Sequence, residues 1–277
     1  MNWINGNLTA IGNLVLRPFA SWPAQVTLVI VSVFAGIAMT IVFRHTSNQR
    51  ALRAVANRTR AQLMCMRLFK DDLRVALACQ GSLLKSIGLR LCHTLPPMAV
   101  LIIPFVLILS QLALRYDNRP LVPGDSVVAA LHLSEAAWSA NRNTAIQVPP
   151  GIRVETPPLR DDAQHTVYWR LRVDEPSEGS LRWQVGPGVA EKTIVSTADP
   201  GRLLTVSVHR PGPGFWDRLL RPGEPGFDAD DPVEAIDLYY PRRSTPFFGV
   251  DIPWWATFLI ASMIAALCVR PFLKVQF

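Results

Sequence analysis

The chain has 277 residues, 49% of them hydrophobic and only 18% charged, which is high for a soluble domain and suits a few membrane spans with an aqueous part. The net charge of +7 comes chiefly from residues 44–93, whereas residues 115–251 hold fifteen basic and nineteen acidic side chains, so the positive excess is no argument for nucleic-acid binding. The four cysteines, Cys65, Cys79, Cys92 and Cys268, all lie outside 115–251; no disulfide framework is implied there, and no pair has the spacing of a zinc site.

Residues 1–23 lack the basic start of a signal peptide. Ile4, Leu8, Ile11, Val15 and Phe19 recur at helical spacing, which predicts an amphipathic helix lying in the outer membrane interface. Residues 24–43 form an uncharged apolar run of the length that crosses a bilayer core of roughly 30 Å. Ser32, Gly36 and Thr40 within it and Arg44 just after it are spaced by four and share one side of a helix. That stripe has two readings. One is close helix packing with Arg44 reaching the headgroups; the other is a hydrophilic recess open to the cytoplasm.

Residues 44–93 carry ten basic side chains against Asp71 and Asp72. Lys- and Arg-rich loops stay on the cytoplasmic side, so the segment is expected inside and the N-terminus outside. Two apolar seams, one through Leu52, Ala56, Thr59, Leu63 and Met66 and one through Leu73, Leu77, Leu84, Ile87 and Leu91, predict a helical hairpin. Asp71 and Asp72 sit where the second arm would be capped. Arg53, Arg60, Arg67 and Arg74 repeat every seven residues and would form a basic face for anionic lipid, a client or the ribosome, with a plain solvated face as the alternative.

Residues 94–114 form a second span, with Pro96, Pro97 and Pro104 inside it and Ser110 and Gln111 near its outer end. From 115 to 251 turn residues are frequent and short alternating runs appear at 127–133, 152–156, 166–173, 180–185, 192–195, 204–208 and 235–240. They predict an extracytoplasmic antiparallel β-sandwich with Trp169 and Trp183 in its core. The Pro/Gly-rich stretch 211–225 holds Phe215, Trp216, Leu219 and Leu220, a cluster suited to a membrane surface or a span. His132, His165 and His209 read as isolated, and Asp228, Asp230 and Asp231 as a solvated turn that lacks the elements of a calcium loop. No nucleophile elbow, P-loop or dinucleotide motif is present, so no enzyme activity, cofactor or metal is expected. A third span over 252–269 opens on Trp254 and Trp255 and closes on Arg270 and Lys274, which puts the tail 270–277 inside.

The layout is that of an integral membrane protein of three α-helical spans with a cytoplasmic helical hairpin and an extracytoplasmic β-sandwich. Three features carry a family resemblance: the N-out topology, the long basic hairpin after span one, and the arginine that ends this span in Ile41-Val42-Phe43-Arg44-His45-Thr46. Together with Leu95-Pro96-Pro97-Met98 entering span two, they resemble the YidC/Oxa superfamily of membrane-protein insertases, in its minimal three-span branch. The stretch 67–72, Arg-Leu-Phe-Lys-Asp-Asp, also resembles bacterial integral membrane proteins of this layout. The resemblance implies an insertase or membrane chaperone of the inner membrane, acting on nascent or client membrane proteins through a groove open to the cytoplasm. Arg44 would be the groove's cation, with Ser32, Gly36, Thr40, Ser110 and Gln111 as its lining. The chain departs from the family in placing Arg44 at the edge of its span and in inserting a β-domain before span three. A scaffold or assembly factor whose β-domain binds an extracytoplasmic protein partner is the alternative function.

Overall fold

The computed structural model describes residues 10, 12, 22–68, 73–140, 144–247, 249–273 and 275. The helix expected over 1–23 lies outside the described residues except for Ala10 and Gly12, both helical, and Trp22 and Pro23; so do the caps Asp71 and Asp72. The helices are α1 (Ala24–Thr46), α2 (Gln49–Leu68), α3 (Leu73–Tyr116), two short ones in the β-domain, α4 (Glu135–Ala140) and α5 (Phe215–Leu220), and finally α6 (Trp254–Leu273). The chain divides into two compact units, Met1–Thr27 with Leu107–Trp254 and Leu28–Val106 with Trp255–Phe277.

Among the described residues three helices are long and apolar enough to cross a membrane: α1, the stretch Leu77–Tyr116 of α3, and α6. They expose large apolar side chains such as Phe34, Ile103 and Leu267, as expected of helices solvated by lipid. The ends differ from the expected 24–43 and 252–269, because α1 continues to Thr46 and α6 runs from Trp254 to Leu273. Asn48 then starts α2, its side-chain oxygen accepting the Ala51 N–H at 3.1 Å in the manner of an N-cap.

The second span is not a separate helix. One helix of 44 residues carries the second hairpin arm and the span together, through Pro96, Pro97 and Pro104. Proline removes one N–H donor but fits a helix whose neighbouring groups compensate. The Thr94 hydroxyl donates to the Arg90 and Leu91 carbonyls at 3.1 and 2.9 Å, just before the first two prolines. A disulfide between Cys65 of α2 and Cys79 of α3 joins the hairpin arms, with Cα atoms 6.5 Å apart. Nothing in the cysteine spacing announces this pair.

The β-domain contains β1 (Ser126–Leu133), β2 (Ile146–Gln147), β3 (Ile152–Val154), β4 (Leu159–Asp161), β5 (Thr166–Val173), β6 (Glu178–Val185), β7 (Gly188–Val195), β8 (His209–Arg210), β9 (Val233–Leu238), β10 (Pro246–Phe247) and β11 (Val250–Asp251). One sheet has the order β3-β5-β1-β9-β8 with β4 also on β5; another has β2-β6-β7; β10 and β11 form a ribbon. All ladders are antiparallel. Alternation turns Val127, Ala129 and Leu131 of β1, Val167, Trp169 and Leu171 of β5, and Leu181 and Trp183 of β6 into one core shared by the two larger sheets. Trp169 and Trp183 meet there, ring centroids 6.1 Å apart. Residues 204–208 are a correction: they form no strand, because Val206 N–H donates to the Leu114 carbonyl at 2.7 Å rather than to a ladder.

Candidate functional site

Within the unit Leu28–Val106 with Trp255–Phe277, the three apolar helices leave a groove of about 1020 Å³. On α3 its wall is Ile87, Leu91, Thr94, Met98, Leu101 and Phe105. Their alternating spacing of four and three keeps them on one stripe of a helix. From α1 come Ala35, Gly36, Met39, Thr40 and Phe43, and from α6 Phe258, Ser262, Met263 and Ala266 among others. Gly36 sets how close α1 and α6 approach: a Cβ built there would lie 2.3 Å from the Ser262 carbonyl oxygen. Phe105 and Phe258 rings meet at 6.1 Å.

The groove is apolar because its hydroxyls turn back onto their own helices. Thr40 donates to the Gly36 carbonyl at 2.8 Å, Thr94 to Arg90 and Leu91, and Ser262 to Leu259 at 3.1 Å. Among the described lining residues only Arg90 is charged. An aliphatic helix finds matching surface in such a groove, and a polar segment finds few donors.

Of the residues expected to line a wetted recess, Gly36 and Thr40 do line the groove. Ser32 is fully buried and donates to the Leu28 carbonyl at 2.6 Å, so at Ser32 and Gly36 the stripe packs helices. Arg44 is exposed and lines a separate recess of about 420 Å³ with Asn48, Arg50, Arg53 and Leu273. Ser110 and Gln111 belong to the other compact unit, where the Ser110 hydroxyl donates to the Leu107 carbonyl at 3.0 Å and the Gln111 carbonyl accepts from Arg115 at 2.7 Å. Arg53, Arg60 and Arg74 are exposed on the hairpin; Arg67 lies on α2, with its side chain outside the described ones. Arg90 and Thr94 were not singled out in the sequence. The seam through Leu84, Ile87 and Leu91 reaches Thr94 in one further step, with Arg90 beside it.

The β-domain holds a second polar constellation, which corrects the reading of His132 and His209 as isolated. His132 of β1 and His209 of β8 both contact Asp237 of β9, at 2.9 and 2.5 Å. His132 also meets Thr166 at 2.9 Å, and His209 meets Asp217 of α5 at 3.0 Å. Carboxylate oxygens only accept, so both His209 contacts are hydrogen bonds when the ring carries two N–H donors. Thr166–His132–Asp237 has the order of a nucleophile, base and carboxylate. Thr166 is fully buried, however, so its hydroxyl offers no approach to a substrate. The constellation ties strands to one another and to α5.

Beside it, Lys192 occupies an inward position of β7 between Ala190 and Ile194. Its ammonium donates to Glu224 at 2.8 Å, to the Ser207 carbonyl at 2.7 Å and to the Ser207 hydroxyl at 3.1 Å. Burial pushes the lysine pKa down, while Glu224 and then Asp237 pull the other way. Three acceptors use its three donors, which leaves the amine no role as a base. Asp228 and Asp231 close a turn, Asp231 accepting the Asp228 N–H at 2.7 Å.

Asp237 yields a pH prediction. Burial opposes its ionisation, but hydrogen bonds from His132 and His209, with the ring charges, outweigh burial and hold its carboxyl well below the ordinary 3.8. A carboxylate depressed in the folded state contributes stability above the unfolded value and loses it as pH falls through the folded one. The β-domain should therefore keep its tryptophan signal to about pH 4 and lose stability progressively below about 3.8. Asp237→Asn should flatten that acid limb in a urea titration series; an unchanged slope would contradict the assignment.

No family model, curated protein or solved structure matches the chain.

Proposed function

We propose that the chain is a non-enzymatic membrane chaperone or insertase of the YidC/Oxa type, which shelters an apolar client helix in the groove between its spans. The groove itself is the observation that carries this reading. Its volume is about 1020 Å³, large for a gap between packed helices, and it is lined by aliphatic and aromatic side chains with one arginine. It draws on the α1 and α3 residues nearest the basic hairpin, from Met39 to Phe43 and from Ile87 to Leu101. In the inner-membrane orientation proposed from charge, which takes the ten basic side chains of 44–93 as a stronger guide to compartment than the Cys65–Cys79 disulfide, the hairpin and the C-terminus face the cytoplasm and the β-domain the opposite side. A client emerging from a ribosome would then meet the Arg53, Arg60 and Arg74 face first. The cation relevant to a client's acidic flank is Arg90 rather than Arg44.

The test is photocrosslinking with a benzophenone side chain at Met39 or Leu101 in the groove and, in parallel, at Glu178 on the β-domain. Adducts with newly made membrane proteins are expected from the groove positions. Leu101→Trp fills the groove and should reduce Met39 adducts several-fold, whereas Arg44→Ala should leave them. Protein adducts confined to Glu178 would reject the client groove and favour the scaffold reading.

A further inference from the structure

We propose that residues 211–227 form a rigid foot that places Phe215, Trp216 and Leu220 in the interfacial layer of the membrane crossed by α3, so that the β-domain rests on lipid. The proposal needs α3 to cross a membrane and is independent of the groove and its clients.

The first observation is enforced exposure. Phe215, Trp216 and Leu220 are 56%, 69% and 50% exposed, an unusual state for three large apolar side chains on one short helix. Phe215 and Trp216 pack edge-on, ring centroids 5.2 Å apart. The segment is held in this position on both sides. Arg218 donates to the Gly212 carbonyl at 2.9 Å and also to the Phe227 carbonyl, while Phe227 N–H donates to the Pro211 carbonyl at 2.9 Å. Gly226 has no space for a side chain, since a Cβ there would sit 3.0 Å from the Pro211 and Gly212 carbonyl oxygens. Glu224 is bound to buried Lys192 and also accepts the Thr193 N–H at 2.9 Å. The His209–Asp217 contact fastens α5 to the sheet. A stretch rich in proline and glycine is thus held in place with its aromatics exposed.

The second observation is location. A Cβ at Gly223 would lie 3.0 Å from Leu114 Cδ2, and the Leu114 carbonyl accepts the Val206 N–H. Leu114 lies at the outer end of the candidate span Leu77–Tyr116. Leu220 is three residues from Gly223, so the chain can carry it no more than about 11 Å away. The polar layer on each side of the hydrocarbon core is about 5–8 Å thick. Phe, Trp and Leu beside Arg218 and Arg221 is the composition of an interfacial helix. Lipid is therefore the occupant argued for, because Gly223 abuts the last turn of a candidate span and Leu220 lies within three residues of that glycine.

The full-length protein, labelled biosynthetically with 5-fluorotryptophan and reconstituted in phosphatidylcholine–phosphatidylglycerol nanodiscs, provides the test. The resonance absent from Trp216→Phe is that of Trp216, and Trp216→Tyr gives the same assignment independently. Doxyl-labelled lipid should broaden this resonance several-fold more than a water-soluble paramagnetic chelate does. Trp183, fully buried in the domain, should respond to neither. If the chelate broadens Trp216 at least as strongly as the lipid probe, the proposal is overturned and the patch is a water-facing site for a protein partner. Loss of client adducts in the groove would leave this measurement untouched.

Discussion

Lys192→Ala is expected to destabilise the β-domain by about 3–5 kcal/mol, the cost of breaking a buried ion pair and stranding its partner. The lysine side chain is fully buried and Glu224 is only 10% exposed, so water cannot re-solvate the orphaned carboxylate without opening the domain. The loss also reaches the Ser207 carbonyl, which would give up its ammonium partner. Replacing both partners, as in Lys192→Met with Glu224→Leu, should recover most of the stability, because two apolar side chains leave no uncompensated charge. Denaturant unfolding followed through the tryptophan core would measure both. Limited proteolysis should show cleavage within 211–227 in the single variant before the rest of the domain opens. A Lys192→Ala protein as stable as the parent would mean that this pair is not formed.

Gly36→Val is expected to separate α1 from α6 and collapse the groove architecture, at a cost of about 1–3 kcal/mol for overpacking. The obstacle at 2.3 Å is a backbone oxygen, that of Ser262, and it cannot rotate out of the way as a side chain would. Even Gly36→Ala should lower thermal stability in detergent. Ser262→Gly should fail to rescue either variant, because it leaves the carbonyl in place. Rescue by Ser262→Gly would show that the contact is made by the side chain instead.

Much of the helical part is legible in the sequence, because length and apolarity alone mark α1, α3 and α6. The unbroken run of α3 is not, since Pro96 and Pro97 read as a boundary. In the β-domain the eight-residue strands show alternation, whereas β2, β8, β10 and β11 have two residues each, too few for any period to register. The groove is half legible: Gly36 and Thr40 stand out by spacing, but spacing cannot distinguish a stripe that packs from one that lines a cavity. The polar constellation is the least legible. His132 and Asp237 are 105 residues apart and meet through the β1–β9 pairing, while Lys192 and Glu224 are 32 apart and meet only because the loop after α5 returns to β7.

The length of α3 has a mechanical consequence. At 1.5 Å per residue its 44 residues extend about 66 Å, more than twice the roughly 30 Å of hydrocarbon. At Pro96 and Pro97 two successive backbone hydrogen bonds are missing, because the carbonyls of Cys92 and His93 lose their helical donors. A load on the hairpin end acts through an arm several turns long upon a joint that sits beside Met98 and Leu101, which belong to the groove wall. Any bend at that joint would swing the hairpin arm relative to the wall at Met98 and Leu101.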